Sequence, residues 1–303
     1  HASLDLRAIV SDNGLTDESA QIWDGMRNDP FDKGDLAETM LQQTLPAIEG
    51  KLGGSFEFDI KNNNRSIGAR LCGEIARRYG NLGMVTAPLR IRLRGTAGQS
   101  FGAWNVAGVN LTLEGDANDY VGKGMAAGRI VVKPPELSKF EAANTAIIGN
   151  TCLYGATGGR LFAAGQAGER FAVRNSGAYA VIEGAGDHCC EYMTDGCVVV
   201  LGRTGINFGA GMTGGFAYVL DMDRNFVDHY HHGLIDIHRI TPETMEAYQH
   251  HLRSLIQDHV RYTSSVWGSE LLEEFRTYLP RFWVVKPKAA ELSSLIDALR
   301  EAA

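Results

Sequence analysis

Glycine spacing is the feature that most limits what this chain can fold into. The sequence holds 36 glycines among its 303 residues, well above the roughly 7% found in ordinary domains. They concentrate between Gly53 and Gly233. Glycines that recur at even intervals are typical of repeat architectures, in which every repeat turns sharply against its neighbour.

Short apolar runs recur through this segment, and each run ends at a residue suited to a turn. The run ends are Gly95, Gly115, Pro134, Gly149, Gly165, Gly184, Gly202 and Asp221. The steps between them are 20, 19, 15, 16, 19, 18 and 19 residues. A period of about 19 residues indicates one coil of a β-solenoid and is too short for a repeat of paired helices.

Side-chain type repeats with the same period. Two residues before the run ends stand Leu93, Leu113, Val132, Ile147, Ala163, Ile182, Val200 and Val219. Four residues before them stand Ile91, Leu111, Ile130, Thr145, Leu161, Ala180, Val198 and Ala217. The position one residue before the run end is mixed and includes Arg94, Glu114 and Glu183. Because alternate residues of a strand face opposite sides, the first two columns are predicted to stack inside the solenoid, and the mixed column to face solvent or a partner.

Further glycines follow the run ends and mark the corners of each coil. The predicted corner residues are Gly95, Gly98, Gly102, Gly115, Asn118, Gly122, Gly149, Gly165, Gly168, Gly184, Gly202, Gly205 and Gly209. Glycine reaches positive φ and leaves room for a neighbouring backbone about 4.8 Å away. The sequence therefore predicts an all-β fold, a right-handed parallel β-helix of about seven to eight coils with helical caps at both ends.

The two ends of the chain are predicted to carry those caps. Residues 1–50 are interpreted as a lead-in with a helix at Asp35–Ile48, residues 51–233 as the solenoid, and residues 234–303 as a helical cap. A helix at Ser66–Tyr79 is predicted to cover the first coil. In the tail, Thr241 and Pro242 form an N-cap signal. Further tail elements are predicted at Met245–His259, Ser269–Tyr278 and Ala289–Ala302 as helices, and at Arg281–Val285 as a strand.

Charge and cysteine usage exclude several functional classes. The net charge of −7 argues against a nucleic-acid or anionic-membrane surface. The start of the sequence lacks a signal-peptide pattern, and no run approaches the ~20 apolar residues that span a bilayer. The five cysteines are odd in number and widely spread, which indicates free thiols. We therefore expect a cytoplasmic protein without nucleic-acid or membrane partners.

Three motifs invite a chemical interpretation, but each has a simpler one. Gly122, Gly124 and Gly128 nearly match a dinucleotide fingerprint, yet the βαβ context that this mechanism requires is missing. The segment His188–Glu191 with Cys197 could attract zinc, but adjacent cysteines point apart and no fourth ligand follows. The tract His229–His232 is interpreted as a surface turn, with adventitious metal binding as the alternative. No catalytic, cofactor-binding or metal-binding residue is predicted.

Several charged residues flank the glycines of the middle coils. Arg160, Glu169, Arg170 and Arg174 could contact a sister domain or subunit, or form a charge ladder on the solenoid surface, and the sequence does not decide between these. Asp116 and Asp119 with Lys123 are the only candidates for a pectate-lyase-like site, and they fall in a corner. An independent solenoid enzyme is therefore disfavoured.

A set of motifs in this order resembles the large subunit of glutamate synthase. The motifs are Gly115–Gly124, Gly149–Gly159, Ala167–Gly177, Glu183–His188 and Asn207–Gly215, with Asn64–Ala69 before them and Leu279–Phe282 after them. The resemblance runs from about Asp35 to Pro287. It implies that this chain is the C-terminal, glycine-repeat (GXGXG) domain of that large subunit.

The resemblance also implies a role. The family makes glutamate from 2-oxoglutarate and glutamine-derived ammonia, with FMN, an iron–sulfur cluster, and NADPH or ferredoxin bound or used elsewhere in the enzyme. It implies a structural domain in nitrogen assimilation, without catalytic residues or cofactors of its own, whose partners are the other domains or subunits of the enzyme. The alternative is a scaffold component of another redox complex, which resembles one subunit of formylmethanofuran dehydrogenase.

Overall fold

The computed structural model describes residues 34–240, 245–293 and 295, together with residues 4–11, 14, 23, 25 and 26. The chain divides into two units, His1–Lys33 and Gly34–Ala303. In the first unit a short helix, α1, spans Arg7–Val10, and the Asp5 carboxylate accepts two hydrogen bonds from the Arg7 guanidinium at 2.9 and 2.7 Å. All other described elements belong to the second unit.

The second unit contains eleven described strands and five described α-helices. The strands are β1 Gly54–Ile60, β2 Leu89–Ala97, β3 Val109–Ala117, β4 Arg129–Lys133, β5 Ala146–Ile148, β6 Arg160–Ala167, β7 Ser176–Ala185, β8 Asp195–Val200, β9 Phe216–Leu220, β10 Ile235–Arg239 and β11 Phe282–Pro287. The helices are α2 Asp35–Glu49, α3 Ala69–Tyr79, α4 Glu246–Thr263, α5 Val266–Glu273 and α6 Phe275–Tyr278.

The strands stack as a parallel β-solenoid of about seven turns, as the glycine period predicts. Parallel pairing runs in the order β1-β2-β3-β4-β6-β7-β8-β9, and β5 pairs with β3 and β6. After β9 the order ends with β11 and β10, which pair antiparallel. The last parallel strand is therefore covered by a chain segment that runs in the opposite direction.

Both apolar columns are confirmed, except at one coil. The first column pairs in register as Leu93, Leu113, Val132, Ala163, Ile182, Val200 and Val219. The second pairs as Ile91, Leu111, Ile130, Leu161, Ala180, Val198 and Ala217. All of these side chains are buried. They form the inner core of the solenoid, as alternation along each strand dictates.

The exception is the prediction that Pro134 and Gly149 end separate coils, which is wrong. Strand β4 pairs directly with β6, so residues 134–145 are an insertion within one coil that runs 31 residues from Pro134 to Gly165. After the insertion, Ile148 pairs with Ala117 and Ala167. Thr145 lies in the insertion, and Ile147 lies in β5, which forms the second half of a coil, so neither belongs to the two columns.

The N-terminal helices have the predicted positions. Helix α2 buries Met40, Leu41 and Ile48, and packs against α3 and β1. Helix α3 starts at Ala69, three residues after the predicted start, and its buried Leu71 and Ile75 join the core of the first coils. Apolar side chains from the helices thus continue the interior columns beyond the first strand.

The tail helices lie along the outer face of the solenoid. Helix α4 packs against β4, β6 and β7, where outward-facing Val131, Phe162 and Val181 are buried. The second predicted tail helix starts earlier than expected, at Val266, and divides into α5 and α6. The strand prediction at Arg281–Val285 corresponds to β11, whereas β10 was not predicted.

Two tail predictions fall outside the described residues. The N-cap signal at Thr241 and Pro242 lies there, as does most of the helix predicted at Ala289–Ala302. Among the residues that are described, no helix is long and apolar enough to cross a bilayer.

Candidate functional site

The most regular feature of the molecule is a five-residue turn that recurs in six successive coils. In one such turn, Tyr120, Gly122 and Gly124 have φ values of 62°, 67° and 61°. Positive φ recurs at the same alternate positions in the other turns: Ser100, Gly102 and Trp104; Thr151, Leu153 and Gly155; Arg170, Ala172 and Arg174; His188, Cys190 and Tyr192; Asn207, Gly209 and Gly211. Left-handed backbone at every second residue bends the chain tightly between flat sheets.

Hydrogen bonds join each turn to both of its neighbours. Tyr120 N donates to Asn150 O in the next coil at 2.8 Å, and Gly124 N donates to Tyr154 O of that next coil at 2.9 Å. Between them, Gly122 N donates back to Phe101 O in the preceding coil at 2.9 Å. The turns therefore continue the backbone ladder of the strands, and stacked coils hold one another along the axis.

Sequence reasoning missed half of the central turn positions because they are not glycine. Leu153, Ala172 and Cys190 adopt φ values of 61°, 59° and 59° where Gly102, Gly122 and Gly209 stand in other coils. All three side chains are buried. A left-handed residue costs roughly 1–2 kcal/mol when it carries a Cβ, and burial of the side chain offsets that cost. The period of the motif, rather than the residue type, would have located them.

A second ladder forms at the corner between strand and turn. Asp119 Oδ1 accepts a hydrogen bond from Asn150 N at 2.7 Å, and Asn150 Oδ1 accepts one from Glu169 N at 2.8 Å. A Cβ on Gly149 would meet Asp119 Oδ1, and a Cβ on Gly168 would meet Asn150 Oδ1. These glycines are required because the previous coil's side chain occupies the space that a Cβ would take.

The predicted corner residues divide among three ladders. Gly95 and Gly115 pair within β2 and β3. Gly165 and Gly184 lie at the corresponding places in β6 and β7, with a register shift beside Gly165, and Gly202 follows the end of β8 by two residues. Gly98, Asn118, Gly149, Gly168 and Gly205 join the corner ladder through backbone hydrogen bonds. Gly102, Gly122 and Gly209 are central turn residues. Gly149 therefore stands with Gly98 and Gly168, rather than with Gly95.

The outer side of the turns carries aromatic and cationic side chains. Trp104 is 59% exposed and Tyr192 is 53% exposed, and each ring lies against the glycine of the next coil, Gly124 and Gly211 respectively. We call six residues of this surface the turn stripe: Trp104, Tyr120, Lys123, Arg170, Arg174 and Tyr192. Lys123 Nζ lies 5.2 Å from the Tyr120 ring centre, and the Arg174 guanidinium lies 6.0 Å from that of Tyr192.

Motifs that resemble known sites have structural roles here. The segment with Gly122, Gly124 and Gly128 is a solenoid turn that leads into β4, whereas a dinucleotide site needs a helix at that point. Asp116 accepts a hydrogen bond from Thr96 Oγ1 at 2.7 Å, and Asp119 caps the next corner. Asp116 lines an open groove of about 660 Å³ with Asn62 and Asn118, but both carboxylates form hydrogen bonds that hold neighbouring coils together.

The cysteines do not fit an iron–sulfur cluster. All five are buried, and Cys189 Sγ lies 3.8 Å from Cys190 Sγ. Burial raises the pKa of Cys72 and Cys152 to about 12, and raises the pKa of Cys190 and Cys197 well above its usual value. Clusters are held by thiolates, so the raised pKa values of these four interior thiols suit a packing role.

The histidine tract is engaged in local contacts. His229 Nδ1 lies 2.8 Å from Thr204 O, and the His232 ring stacks on Tyr230 with centroids 4.2 Å apart. Within the described ranges, no group of three or more His, Cys, Asp or Glu side chains could hold a metal ion. The hypothesis of adventitious metal binding at His229–His232 gains no support from this geometry.

A buried polar cluster joins the tail helices to the sheet. Ser265 Oγ donates to Glu183 Oε1, and His259 Nε2 lies 3.1 Å from the same oxygen. Ser265 Oγ also accepts from Gly268 N at 2.8 Å and caps α5. A hydrolase triad needs the histidine to accept the serine proton. Here the Ser265 hydroxyl and the His259 ring both contact the Glu183 carboxylate, so the cluster holds the tail helices against the sheet.

A groove of about 740 Å³ near the end of the solenoid is lined in part by Glu183, Asp221 and Trp267. Asp221 Oδ1 accepts from Asn225 N at 3.0 Å, while Asp221 Oδ2 accepts from Trp283 Nε1 at 2.9 Å and from Arg239 Nη2 at 3.3 Å. This buried carboxylate ties β9, β10 and β11 together. Its hydrogen-bonding capacity serves the closure of the last coil rather than a ligand.

Comparison with known proteins places these features in a family. Residues 35–288 match the family described as GXGXG motif. The chain is 54% identical over 230 residues to the ferredoxin-dependent glutamate synthase of Pyropia yezoensis, which covers 76% of this chain and 15% of that protein. It is 48% identical over 269 residues to the NADH glutamate synthase of Schizosaccharomyces pombe, covering 89% of this chain and 12% of that protein.

A chloroplastic ferredoxin-dependent glutamate synthase of Arabidopsis thaliana is 45% identical over 293 residues, covering 95% of this chain and 18% of that protein. The chain thus spans less than a fifth of the length of these curated relatives. The similarity concerns one part of much longer proteins.

Proposed function

The chain belongs to the GXGXG motif family, and from this premise we propose that it is the structural domain of a glutamate synthase. In this proposal it spaces and supports an amidotransferase domain and an FMN synthase domain that make glutamate from glutamine and 2-oxoglutarate. FMN, the iron–sulfur cluster and the reductant, NADPH or ferredoxin, belong to those other parts. The family and the glutamate synthase relatives support the assignment.

The observation that carries the structural role is the unbroken ladder. Strand pairing, turn hydrogen bonds and corner side chains join each coil to the next, from β1 to β9. Interior columns of apolar side chains run the same length, half-buried at Phe56 and Phe58 of β1 and buried from β2 to β9. A solenoid built this way resists bending and sets a fixed distance along its axis, which suits an element that holds two other domains apart.

The decisive experiment changes the length of the solenoid inside the full-length enzyme. Residues Ser100–Asp119 form one coil whose outward side chains Asn110, Thr112 and Glu114 are only half-buried. A tandem copy of this coil would lengthen the axis by about 4.8 Å. We expect glutamine hydrolysis and synthesis from added ammonia to continue. Glutamine-dependent synthesis should fall relative to hydrolysis, because the separation of the two active sites has changed.

The matched control inserts the same number of Gly and Ser residues after Leu137, in the exposed insertion of residues 134–145, where the axis keeps its length. Full coupling in the enzyme with the extra coil would contradict the spacing role. A visible spectrum with metal analysis of the 303-residue chain tests the cofactor assignment separately. We expect no flavin or iron–sulfur band, and a stoichiometric band would overturn that part of the proposal.

A further inference from the structure

The arginines of the solenoid surface differ in whether they form ion pairs with carboxylates of this chain. On the outer face of the first strands, Arg94 lies 3.3 Å from Glu57 and 3.5 Å from Glu114. On the turns, Arg170 and Arg174 are exposed and form no ion pair with any described residue. The acidic Glu191 beside them lies 3.7 Å from His188 instead. The turn arginines thus leave their charge available to another molecule.

Three residues of the turn stripe have a left-handed backbone conformation that is strained for any residue other than glycine. Trp104, Arg174 and Tyr192 have φ values of 54°, 55° and 54°, at the position that Gly124 and Gly211 occupy in other coils. Residues other than glycine rarely adopt this region, and such strain concentrates where a side chain has a function. At this position a large side chain is present in spite of the backbone, and it points outward.

The aromatic rings are held in place before any partner arrives. A Cβ on Gly124 or Gly211 would run into the ring of Trp104 or Tyr192, so each ring lies directly on the neighbouring coil. Rigid Trp, Tyr and Arg side chains are the types enriched at the energetic centres of protein interfaces. A ring that is already fixed loses little side-chain entropy on binding.

We propose that the turn stripe is the docking surface for an acidic face of the neighbouring polypeptide in the longer enzyme. This inference rests on the proposed function, since the rest of a chain more than five times as long would supply the partner. The partner would place carboxylates against Arg170 and Arg174, with one more opposite Lys123, two coils or about 10 Å away along the axis. Flat or apolar side chains would cover Trp104 and Tyr192. The proposal assigns Arg170 and Arg174 to a partner contact, whereas Arg160 pairs with Asp258 of α4 at 3.0 Å within this chain.

Hydroxyl-radical footprinting of the full-length enzyme tests this surface. Trp104 and Tyr192 are both more than half exposed in this chain, and we expect them to be oxidised slowly in the intact enzyme because the partner covers them. The double variant Arg170→Glu/Arg174→Glu should raise their oxidation about fivefold, because two charge pairs at the interface become repulsive. The control Arg90→Glu/Lys139→Glu reverses two exposed cations outside the stripe and should leave the rate unchanged.

Fast oxidation of both rings in the unmodified enzyme would overturn the proposal without any variant. Protection that persists in the double variant would overturn the charge-based partner. Protection that is lost on dilution, together with a fall in mass, would identify a second copy as the occupant and would also overturn it. The two proposals can fail separately, because protection of the stripe is measured on the enzyme without the extra coil. Uncoupling by the extra coil without protection of the stripe would keep the spacing role and assign docking to another face. Protection without uncoupling would keep the docking surface and contradict the spacing role.

Discussion

The outer face of the sheet differs between the first coils and the later ones, although the interior is the same throughout. Three residues before the run ends, the early strands carry Arg92 and Thr112, and the later strands carry Val131, Phe162, Val181, Val199 and Tyr218. The early side chains are exposed or half-buried, whereas the later ones are buried under α4, α5, α6 and β11. The composition of one outward column therefore determines where the tail helices pack.

The comparison shows that a repeat fixes the interior but leaves the outer surface free to vary. Interior positions must be apolar in every coil, because each one stacks on the next. Outward positions meet whatever covers them, which is solvent or a charge ladder at one end and an amphipathic helix at the other. We call the face of β2 and β3, with Arg92 and Thr112, the open half, and the face of β4 and β6–β9, from Val131 to Tyr218, the covered half. The two halves can be compared by experiment, because equivalent positions exist in both.

The largest effect is expected at Phe162, on the covered half. Its ring is buried and lies 5.2 Å from the ring centre of Tyr262 on α4. Phe162→Ala should lower the free energy of unfolding by about 3–5 kcal/mol, since it removes a large side chain from a packed interface. The matched change Thr112→Ala on the early strands should stay within about 0.5 kcal/mol. Chemical denaturation measures both, and equal losses would mean that the covered half is not held by packing.

The second effect is a pH dependence confined to the covered half. His251 on α4 lies with Nδ1 3.0 Å from the Tyr218 hydroxyl, and burial, with Arg160 nearby, lowers the pKa of His251 to about 4. The neutral ring is favoured in the folded state, so its contribution is complete above the unfolded pKa of about 6.5 and is lost as the pH falls towards 4. The loss should be on the order of 3 kcal/mol.

A comparison with His251→Gln isolates this contribution from the carboxylates that titrate over the same range. The free energy of unfolding of the variant should vary less between about pH 6.5 and about pH 4 than that of the unmodified chain. His250→Gln is the control, because His250 is exposed on the same helix. Parallel pH profiles for the unmodified chain and His251→Gln would show that protonation of this ring does not affect the contact.

The third effect compares two glutamates that stand one residue before a run end. Glu183 is buried with His259 and Ser265, whereas Glu114 faces Arg92, Arg94 and Lys133 on the open half. Glu183→Gln should cost about 1–3 kcal/mol, because a buried polar group loses part of its bonding. Glu114→Gln should cost less than about 1 kcal/mol. Chemical denaturation of both variants gives the order, and a larger loss at Glu114 would reverse the ranking of the two halves.

The interior could be predicted from the sequence because it follows a strict period. The columns that contain Leu93 and Ile91 are apolar in coil after coil, and pairing is in register along them. The insertion of residues 134–145 broke that period. The apolar run before Gly149 imitates a coil end, so spacing alone assigned it to the wrong ladder. Glycine spacing alone does not distinguish one long coil with an insertion from two short coils.

The turns and the covering helices were less visible for a different reason. Left-handed backbone at Leu153, Ala172 and Cys190 has no signal in residue type, because burial compensates for the missing glycine. The position of α4 could have been predicted from the column three residues before the run ends. That column changes from polar Thr112 to apolar Phe162, which marks the strands that a helix covers. The mixed column was expected to face solvent or a partner along its whole length, and Glu183 shows that packing within the chain decides its exposure locally.

The smallest effect is expected on the open half, in its charge ladder. Arg94 contacts Glu57 and Glu114 at 3.3 and 3.5 Å, and its side chain is 54% exposed. Arg94→Ala should change the free energy of unfolding by less than about 1 kcal/mol at low salt, and the change should disappear at about 1 M salt, where exposed charges are screened within about 3 Å. Phe162→Ala should be insensitive to the same salt. If the effect of Arg94→Ala persisted in high salt, the open half would be stabilised by packing of the arginine stem, and the two halves would differ in degree only.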